Sequence, residues 1–437
     1  MLIQFSVQNF KTFREKATLS MVASNYDKET RVVDNIAEND KFNLKLLKSA
    51  VIYGANASGK SKFIEALMFM RNFVVNSSRE SQVGEEIKVE PFKLNSESEI
   101  EPSEFEVVFL FSNELYRYGF EVDRHKVVSE WFFHKPKTKE IQLFYRDFQD
   151  FDTHARNFHK GTTLAKDGFV RDNALLLSVA AQFNEETALN VVSWFKAINI
   201  FSGLEEGEFK YNTLSKLDSP KQKNRILQLL KMADIDIQDI IMEEYPFDVK
   251  NEKDDNKIGT MKIKWKDVTK PSSLSYILTS HKKYDENKRL VGVANFSLES
   301  EQSQGTQKYF YLTGPIIDAL DNGLILVVDE LDSKIHPNLV SQLVSLFNSQ
   351  KLNPKNAQLI FNTHDTNLLS LGLFRRDQIW FTEKNKFGEA QLYSLADFKA
   401  ARKTEAFEDN YIRGKYGAVP YLNDFAALFQ PHFFNEP

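Results

Sequence analysis

Apolar positions along this chain switch between two spacings. Residues 3–8 alternate, with Ile3, Phe5 and Val7 apolar and Gln4, Ser6 and Gln8 polar, which predicts a half-buried strand. A turn near Asn9 to Phe13 leads to a second strand over 17–23, paired with the first, and 24–47 reads as a polar connection. Residues 49–53 form an apolar lead-in, after which Phe63, Leu67, Met70 and Val74 recur at helical spacing. A charged, loop-like stretch over 79–86 precedes a β-rich block. Its strands are expected over 105–111, 116–122, 127–134 and 141–146, with turns at 113–114 and 135–139. Residues 151–172 are polar and irregular, and 175–182 is a buried apolar run ending in Gln182. Helices follow over 189–198 and 220–232, then strands over 261–265, 274–280 and 291–298, with a charged hairpin loop at 281–289. From Ser303 the period turns helical as far as Gly323. Then the continuous run 324–328 predicts a strand buried on both faces. A helix over 338–350 and another buried strand over 358–363 complete this part. The tail, 372–437, begins with a short strand at 378–381 and ends in aromatic-rich segments.

Between the strand at 49–53 and its helix lies Gly54-Ala55-Asn56-Ala57-Ser58-Gly59-Lys60-Ser61, the G-x-x-x-x-G-K-[ST] phosphate loop in its required strand–loop–helix setting. Gly54 and Gly59 let the backbone turn tightly and bring N–H groups to phosphate oxygens. The helix that follows points its positive end at the same anion. Lys60 suits the β/γ-phosphates and the Ser61 hydroxyl suits Mg²⁺.

Two further segments fit that site. Asp329-Glu330 ends the apolar run 324–328; Asp329 would hold Mg²⁺ through Ser61 or water, and Glu330 would orient the attacking water and accept its proton. Thr363-His364-Asp365 ends the next buried strand, which places His364 in the ligand crevice of an open α/β sheet, able to donate to the γ-phosphate. Ser303 and Gly305 head a helix about 20 residues before the acidic strand end; they offer a hydroxyl and a free N–H to a phosphate, or simply cap that helix.

Composition narrows the class. The chain has 437 residues, 42% hydrophobic and 27% charged, with 37 Phe, which fits a globular protein of two or three domains with large aromatic cores. Net charge is −5, so any nucleic-acid binding is local rather than a global basic footprint. Without cysteine, disulfides, thiolate metal sites and Cys nucleophiles are excluded. Neither a secretory signal nor an apolar run of about 18 residues is visible, so the expectation is a cytoplasmic protein that does not engage a membrane. His281-Lys282-Lys283 with Lys288-Arg289, Arg375-Arg376 and Arg402-Lys403 read as solvated basic faces. Arg413 and Lys415, beside Tyr416-Gly417, suit either a docking surface or a C-terminal clasp.

The order of phosphate loop, Ser303–Gly305 helix, Asp329-Glu330 strand, Asp332 and His364 resembles the ATP-binding-cassette ATPases of the SMC and RecF branch. The Asn56 form of the loop and the opening Phe5-Ser6-Val7-Gln8-Asn9-Phe10-Lys11-Thr12-Phe13 are typical of that branch. More narrowly, Ser303-Gln304-Gly305-Thr306, Asp329-Glu330-Leu331-Asp332 and the stretch from Tyr411 to Pro420 look like the single-chain bacterial ATPases of abortive-infection and phage-defence systems, the AbiL/RloA-like group.

The resemblance implies an α/β P-loop NTPase with an ABC-type ATPase head, a β-rich lobe, and a short helical insertion in place of a long coiled coil. It implies an N-terminal lobe over 1–184, the insertion over 185–250, a C-terminal lobe over 251–371 and a C-terminal segment over 372–437. ATP and Mg²⁺ are the implied cofactors: Asn56, Ala57, Ser58, Gly59, Lys60 and Ser61 hold nucleotide, Ser61 and Asp329 the metal, and Glu330 and His364 act in catalysis. Ser303 and Gly305 would reach the γ-phosphate held by a second protomer, with Asp332 at the seam of a homodimer or higher oligomer. Gln182 is the choice for the Gln-loop glutamine, with Gln142 and Gln82 as rivals. The expected role is a Mg-dependent ATPase switch controlling a separate effector, a nuclease or toxin, triggered by DNA or a phage protein. A RecF-like DNA-repair ATPase and a nucleotide-dependent scaffold are the alternatives.

Overall fold

The computed structural model describes all residues except 80–81, 83, 202–205, 247–272, 399–404 and 421–437. The chain divides into two units, the first made of residues 1–206 and 318–437 and the second of 207–317.

The first unit opens with β1 (Leu2–Gln8), β2 (Ala17–Ser20), α1 (Val32–Asn35), β3 (Ile36–Asn39), β4 (Leu44–Leu47), β5 (Ser49–Gly54) and α2 (Lys60–Asn76). The meander follows as β6 (Ser103–Phe111), β7 (Glu114–Val122), β8 (Val127–Lys135), β9 (Ile141–Asp147) and β10 (Asp150–Thr153). Next come α3 (His159–Lys166), α4 (Leu176–Gln182), α5 (Glu186–Lys196) and β11 (Ile198–Phe201). The second unit holds α6 (Glu206–Leu214), α7 (Pro220–Met232), β12 (Asp239–Pro246), β13 (Ser273–Tyr284), β14 (Leu290–Ser297) and most of α8 (Gln304–Asn322). The chain then adds β15 (Ile325–Val328), α9 (Pro337–Asn348), β16 (Gln358–Asn362), β17 (Ile379–Lys384), β18 (Ala390–Ser394) and α10 (Phe407–Ile412) to the first unit.

Two sheets organise the first unit. One is antiparallel and seven-stranded, in the order β10-β9-β8-β7-β6-β1-β2. The other has six strands in the order β11-β15-β16-β5-β17-β18, parallel except for the terminal β18. Every residue of β5, β15 and β16 is buried, as uninterrupted apolar runs covered on both faces require. α2 contributes Phe63, Ile64, Leu67, Met70 and Val74 to a core shared with the antiparallel sheet. Its phenylalanines pack on that sheet: Phe63 lies edge to face 5.3 Å from Phe5, and Phe69 lies 4.9 Å from Phe105 with the rings tilted.

Several segments are more ordered than their polarity predicts. The connection at 24–47 contains α1 and the β3–β4 hairpin, because Leu46 and Leu47 are fully buried and Asn39 Oδ1 accepts the Phe42 N–H across the turn. The polar stretch 151–172 begins with β10 and includes α3, anchored by buried Phe158 and Leu164. β13 extends through Tyr284, so the hairpin loop at 281–289 is shorter than expected. The tail is no appendage to the first unit: β17 pairs with the phosphate-loop strand, Phe381 opposite Tyr53. Arg375 is not on a solvated face. It is buried, donating to Asp377 and to the carbonyls of Thr30 and Asp27. The strand expected at 261–265 and the pair Arg402-Lys403 lie outside the described residues.

One buried ion pair ties the meander to the helices. Glu130 on β8 and Arg146 on β9 are both 0% exposed and sit 3.6 Å apart. Glu130 also accepts the N–H groups of Leu176 and Leu177, satisfying the otherwise unpaired start of α4. Burial pushes its pKa up, opposed by Arg146 and those two N–H groups. Glu130→Ala strands the guanidinium and opens the helix start together; we expect a loss of about 3–5 kcal/mol in urea denaturation, the cost of breaking a buried pair by removing one partner.

Candidate functional site

The carboxyl ends of β5, β15, β16 and β17 converge on one edge of the parallel sheet, where the crevice of an α/β fold lies. At β5 the chain leaves the sheet through Gly54, at φ 157°. A Cβ there would stand 2.5 Å from the Thr382 carbonyl oxygen and from the Ser58 hydroxyl, so no side chain fits. Ala57 and Gly59 turn through positive φ, 60° and 117°, curling the loop into a concave run of backbone. Ser58 is buried and shares a hydrogen bond with the Thr382 hydroxyl at 2.7 Å. Asn56 and Ala57 are exposed at the tip, and Ser61 lies in the first turn of α2.

Lys60 is buried and folds back on the loop, donating to the carbonyls of Gly54 at 2.7 Å and Ala55 at 3.1 Å. Burial pulls its pKa down to about 8, against the fields of Glu330, Asp329 and Asp332. The ammonium therefore lies within the field of three carboxylates on the neighbouring loop. Those carboxylates follow β15. Asp329 is buried, and its Oδ1 accepts the Asn362 side-chain amide in a very short bond. Glu330 is exposed in a left-handed conformation, φ 50°, and its N–H donates to Asn362 Oδ1 at 2.5 Å. Asp332 accepts the His364 N–H at 3.1 Å through one oxygen, while its other oxygen is buried without a partner. His364 is exposed on the crevice wall. Partial desolvation and then the Lys60 charge hold its imidazole below the usual range, against the pull of Asp332, Glu330 and Asp329. In its neutral form the ring keeps one N–H to donate.

A cavity of about 740 Å³ opens along this edge, walled by the loop from Tyr53 to Ser58, by His364 and Thr366, by the end of β17 and by the tail from Tyr411 to Pro420. That tail is a clasp. Tyr411 and Tyr416 are buried, their rings 5.3 and 5.9 Å from Phe381, and Tyr411 lies 5.6 Å from Tyr53. Arg413 and Lys415 point outward, Lys415 pairing with Glu405 at 2.7 Å.

The first unit thus brings together residues 54–61, Asp329, Glu330, Asp332 and His364. Gln182 ends α4 as an exposed residue, Gln142 on β9 donates to Asp152, and neither they nor Gln82 line the cavity. Ser303 and Gly305 belong to the second unit, where Ser303 is exposed and its hydroxyl caps α8 by accepting the Thr306 N–H at 3.1 Å. Two contributors escaped sequence reasoning: Asn362, hidden as one polar residue at the end of an apolar strand, and Thr382, reached only through strand pairing.

The donors fit the ligands that such a loop implies. A serine hydroxyl and a buried carboxylate are hard oxygen donors, suited to Mg²⁺ completed by phosphate and water rather than by a protein cage. No cluster of three or more His, Cys, Asp or Glu poised for a metal occurs among the described residues. The buried, partnerless Asp332 oxygen and the partnerless Thr12 hydroxyl next to Gly59 are further polar atoms available at this edge.

Comparison with known proteins agrees with this geometry. The family described as "AAA domain, putative AbiEii toxin, Type IV TA system" matches residues 49–370, well over half of the chain and everything from the phosphate-loop strand past His364. The chain belongs to this AAA family. The phosphate loop between β5 and α2, set at the end of a parallel sheet, is the P-loop arrangement expected of an AAA domain. Similar solved structures include the SMC head domain from Thermotoga maritima, at 13% identity and TM-score 0.39, covering 90% of this chain and 98% of that one. An SMC head bound to the C-winged helix domain of ScpA shows 11% identity and TM-score 0.43, over 90% and 97% of the two chains. The Smc head domain with a coiled coil and joint from Pyrococcus yayanosii shows 10% identity and TM-score 0.36, over 90% and 96%. No curated protein matches this AAA family member.

Two outcomes test the cradle. Wild-type protein with Mg²⁺ and ATP at 100 times its Kd should gain about 2.7 kcal/mol of stability; Lys60→Met should show no gain in thermal unfolding, yet keep a ligand-free Tm at pH 7 no lower than wild type, since it removes a buried charge. Gly54→Ala should lose about 1–3 kcal/mol from overpacking and fail to bind a fluorescent ATP analogue.

Proposed function

We propose that this protein binds ATP with Mg²⁺, hydrolyses it, and uses the change as a switch. The observation that carries the reading is the placement of Asp329 and Glu330 on the same sheet edge as the phosphate loop, with Lys60 within their field. Residues 56–61 would hold the phosphates by backbone N–H groups and the Lys60 ammonium. Ser61 and Asp329 would hold Mg²⁺, which when bound supplies neutralisation of charge on the phosphate oxygens. Glu330, exposed and with its backbone N–H fixed, would take the proton of the attacking water. Neutral His364 would donate to the γ-phosphate oxygens. Gln182, exposed at the end of α4, would serve as the Gln-loop residue by moving when nucleotide binds.

The exposed start of α8 supports a role in trans. Ser303 and Gly305 of one copy would meet the γ-phosphate held by another, with Asp332 near the seam, so that ATP joins two protomers and hydrolysis releases them. The family description, with its toxin and toxin–antitoxin terms, supports a place in abortive-infection defence of the AbiL/RloA-like kind. There the switch would control a separate nuclease or toxin in response to DNA or a phage protein. No helix among the described residues is long and apolar enough to cross a membrane, and the reading needs none.

Glu330→Gln should retain ATP binding, lose at least about 100-fold in turnover, and accumulate an ATP-dependent dimer by light scattering. Adding Ser303→Arg to that variant should abolish the dimer while each monomer still binds ATP. Wild-type turnover in Glu330→Gln removes this glutamate as the base.

A further inference from the structure

β16 lies between the phosphate-loop strand and the acidic strand, and its last residue touches both systems. Asn362 is 0% exposed and pairs across the sheet with Ile52 of β5. On its other side it makes three hydrogen bonds to the Asp329–Leu331 segment. Its amide nitrogen donates to Asp329 Oδ1, its amide oxygen accepts the Glu330 N–H at 2.5 Å, and its carbonyl accepts the Leu331 N–H at 3.2 Å. The next two residues continue the stitching: the Thr363 N–H reaches the Ile52 carbonyl at 3.3 Å, and the His364 N–H reaches Asp332.

From this arrangement we infer that Asn362 is the positioning residue of the acidic pair, orienting Asp329 toward the metal and fixing the turn that presents Glu330. The inference rests on the ATPase reading above. The chemistry is restrictive. One atom must donate to a carboxylate while its neighbour accepts a main-chain N–H, and among side chains of this length only the asparagine carboxamide does both. With Oδ1 committed to Asn362, Asp329 presents its other oxygen in a defined direction. Glu330 holds a left-handed conformation that a non-glycine residue adopts at a cost, and the bond from its N–H to Asn362 retains it there. Partners behind a metal ligand typically change metal affinity or activity by about 10–100-fold when removed.

Asn362→Asp keeps the shape and the acceptor but turns the donor into an oxygen facing Asp329. Asn362→Ala removes both bonds. The first measurement needs no turnover: binding of a fluorescent ATP analogue titrated with Mg²⁺. Asn362→Asp should bind the analogue as wild type does without Mg²⁺ and should shift the Mg²⁺ midpoint by at least about 10-fold. Asn362→Ala should lower kcat by about 10–100-fold with KM for ATP unchanged. The control is Gln358→Ala on the same strand, which loses bonds to Leu2 and Leu47 and should lower Tm without moving the Mg²⁺ midpoint. A wild-type midpoint and kcat in both Asn362 variants, effects that merely follow Tm as in the control, or failure of the Asp variant to fold would each overturn the proposal by assigning Asn362 a packing role. Should wild-type protein show no turnover while the midpoint still shifts, the ATPase reading fails and the orientation of Asp329 by Asn362 stands.

Discussion

The phosphate loop depends on the burial of the helix that follows it. α2 begins at Lys60 and is gripped from both sides, by the parallel sheet that delivers the loop and by phenylalanines of the antiparallel sheet. Phe63 lies against Phe5 and Phe13, Phe69 against Phe10 and Phe105, and Phe73 against Phe120. A fully buried ring such as Phe63 is worth roughly 1.5–3 kcal/mol, and its edge-to-face contacts with Phe5 and Phe13 have the geometry that aromatic rings prefer. The seven-stranded sheet therefore serves the nucleotide site without entering it. It fixes the axis of α2, and with it the direction in which the helix start faces the crevice.

Charge at that crevice is unbalanced by design of the fold. Asp329, Glu330 and Asp332 lie near one ammonium, Lys60, whose own burial weakens its hold on a proton. Carboxylates gathered near the end of a buried strand are costly unless hydrogen-bonded or matched by cations. Hydrogen bonds from Asn362 and His364 meet part of that need. The same bonds make the ends of β15 and β16 one mechanical piece, so a change felt by Asp329 is felt by the loop carrying His364.

The tail gives the phosphate-loop strand its other neighbour. β17 runs parallel to β5, and Thr382 approaches Gly54 closely enough to forbid a side chain there. Tyr411 and Tyr416 then stack on Phe381, and the Gly54 N–H eases the Tyr411 hydroxyl, whose pKa burial pushes up to about 12. The loop's entry is thereby packed against the chain's C-terminal clasp, whose Arg413 and Lys415 point outward.

Much of this was legible in the residues alone. The phosphate loop is local chemistry, readable because glycine, lysine and serine must occur at set spacings for one turn to hold phosphate. The buried strands ending in Asp329 and His364 declare themselves because an apolar run broken by an acid or imidazole has few other uses. The meander was readable from its period of two. What the sequence could not convey was pairing between distant segments. Nothing local in residues 378–384 says that they flank β5, and nothing around Asn362 distinguishes it from any polar strand end. Polar stretches such as 24–47 and 151–172 hid ordered elements because a few buried anchors, Leu46, Leu47 and Phe158, hold them by tertiary contact. Sequence by itself singled out the groups suited to phosphate and metal, since that chemistry depends on residue type and short spacing. Tertiary structure alone decided what orients them, since the orienting bonds join residues more than thirty positions apart and exist only once the strands lie side by side.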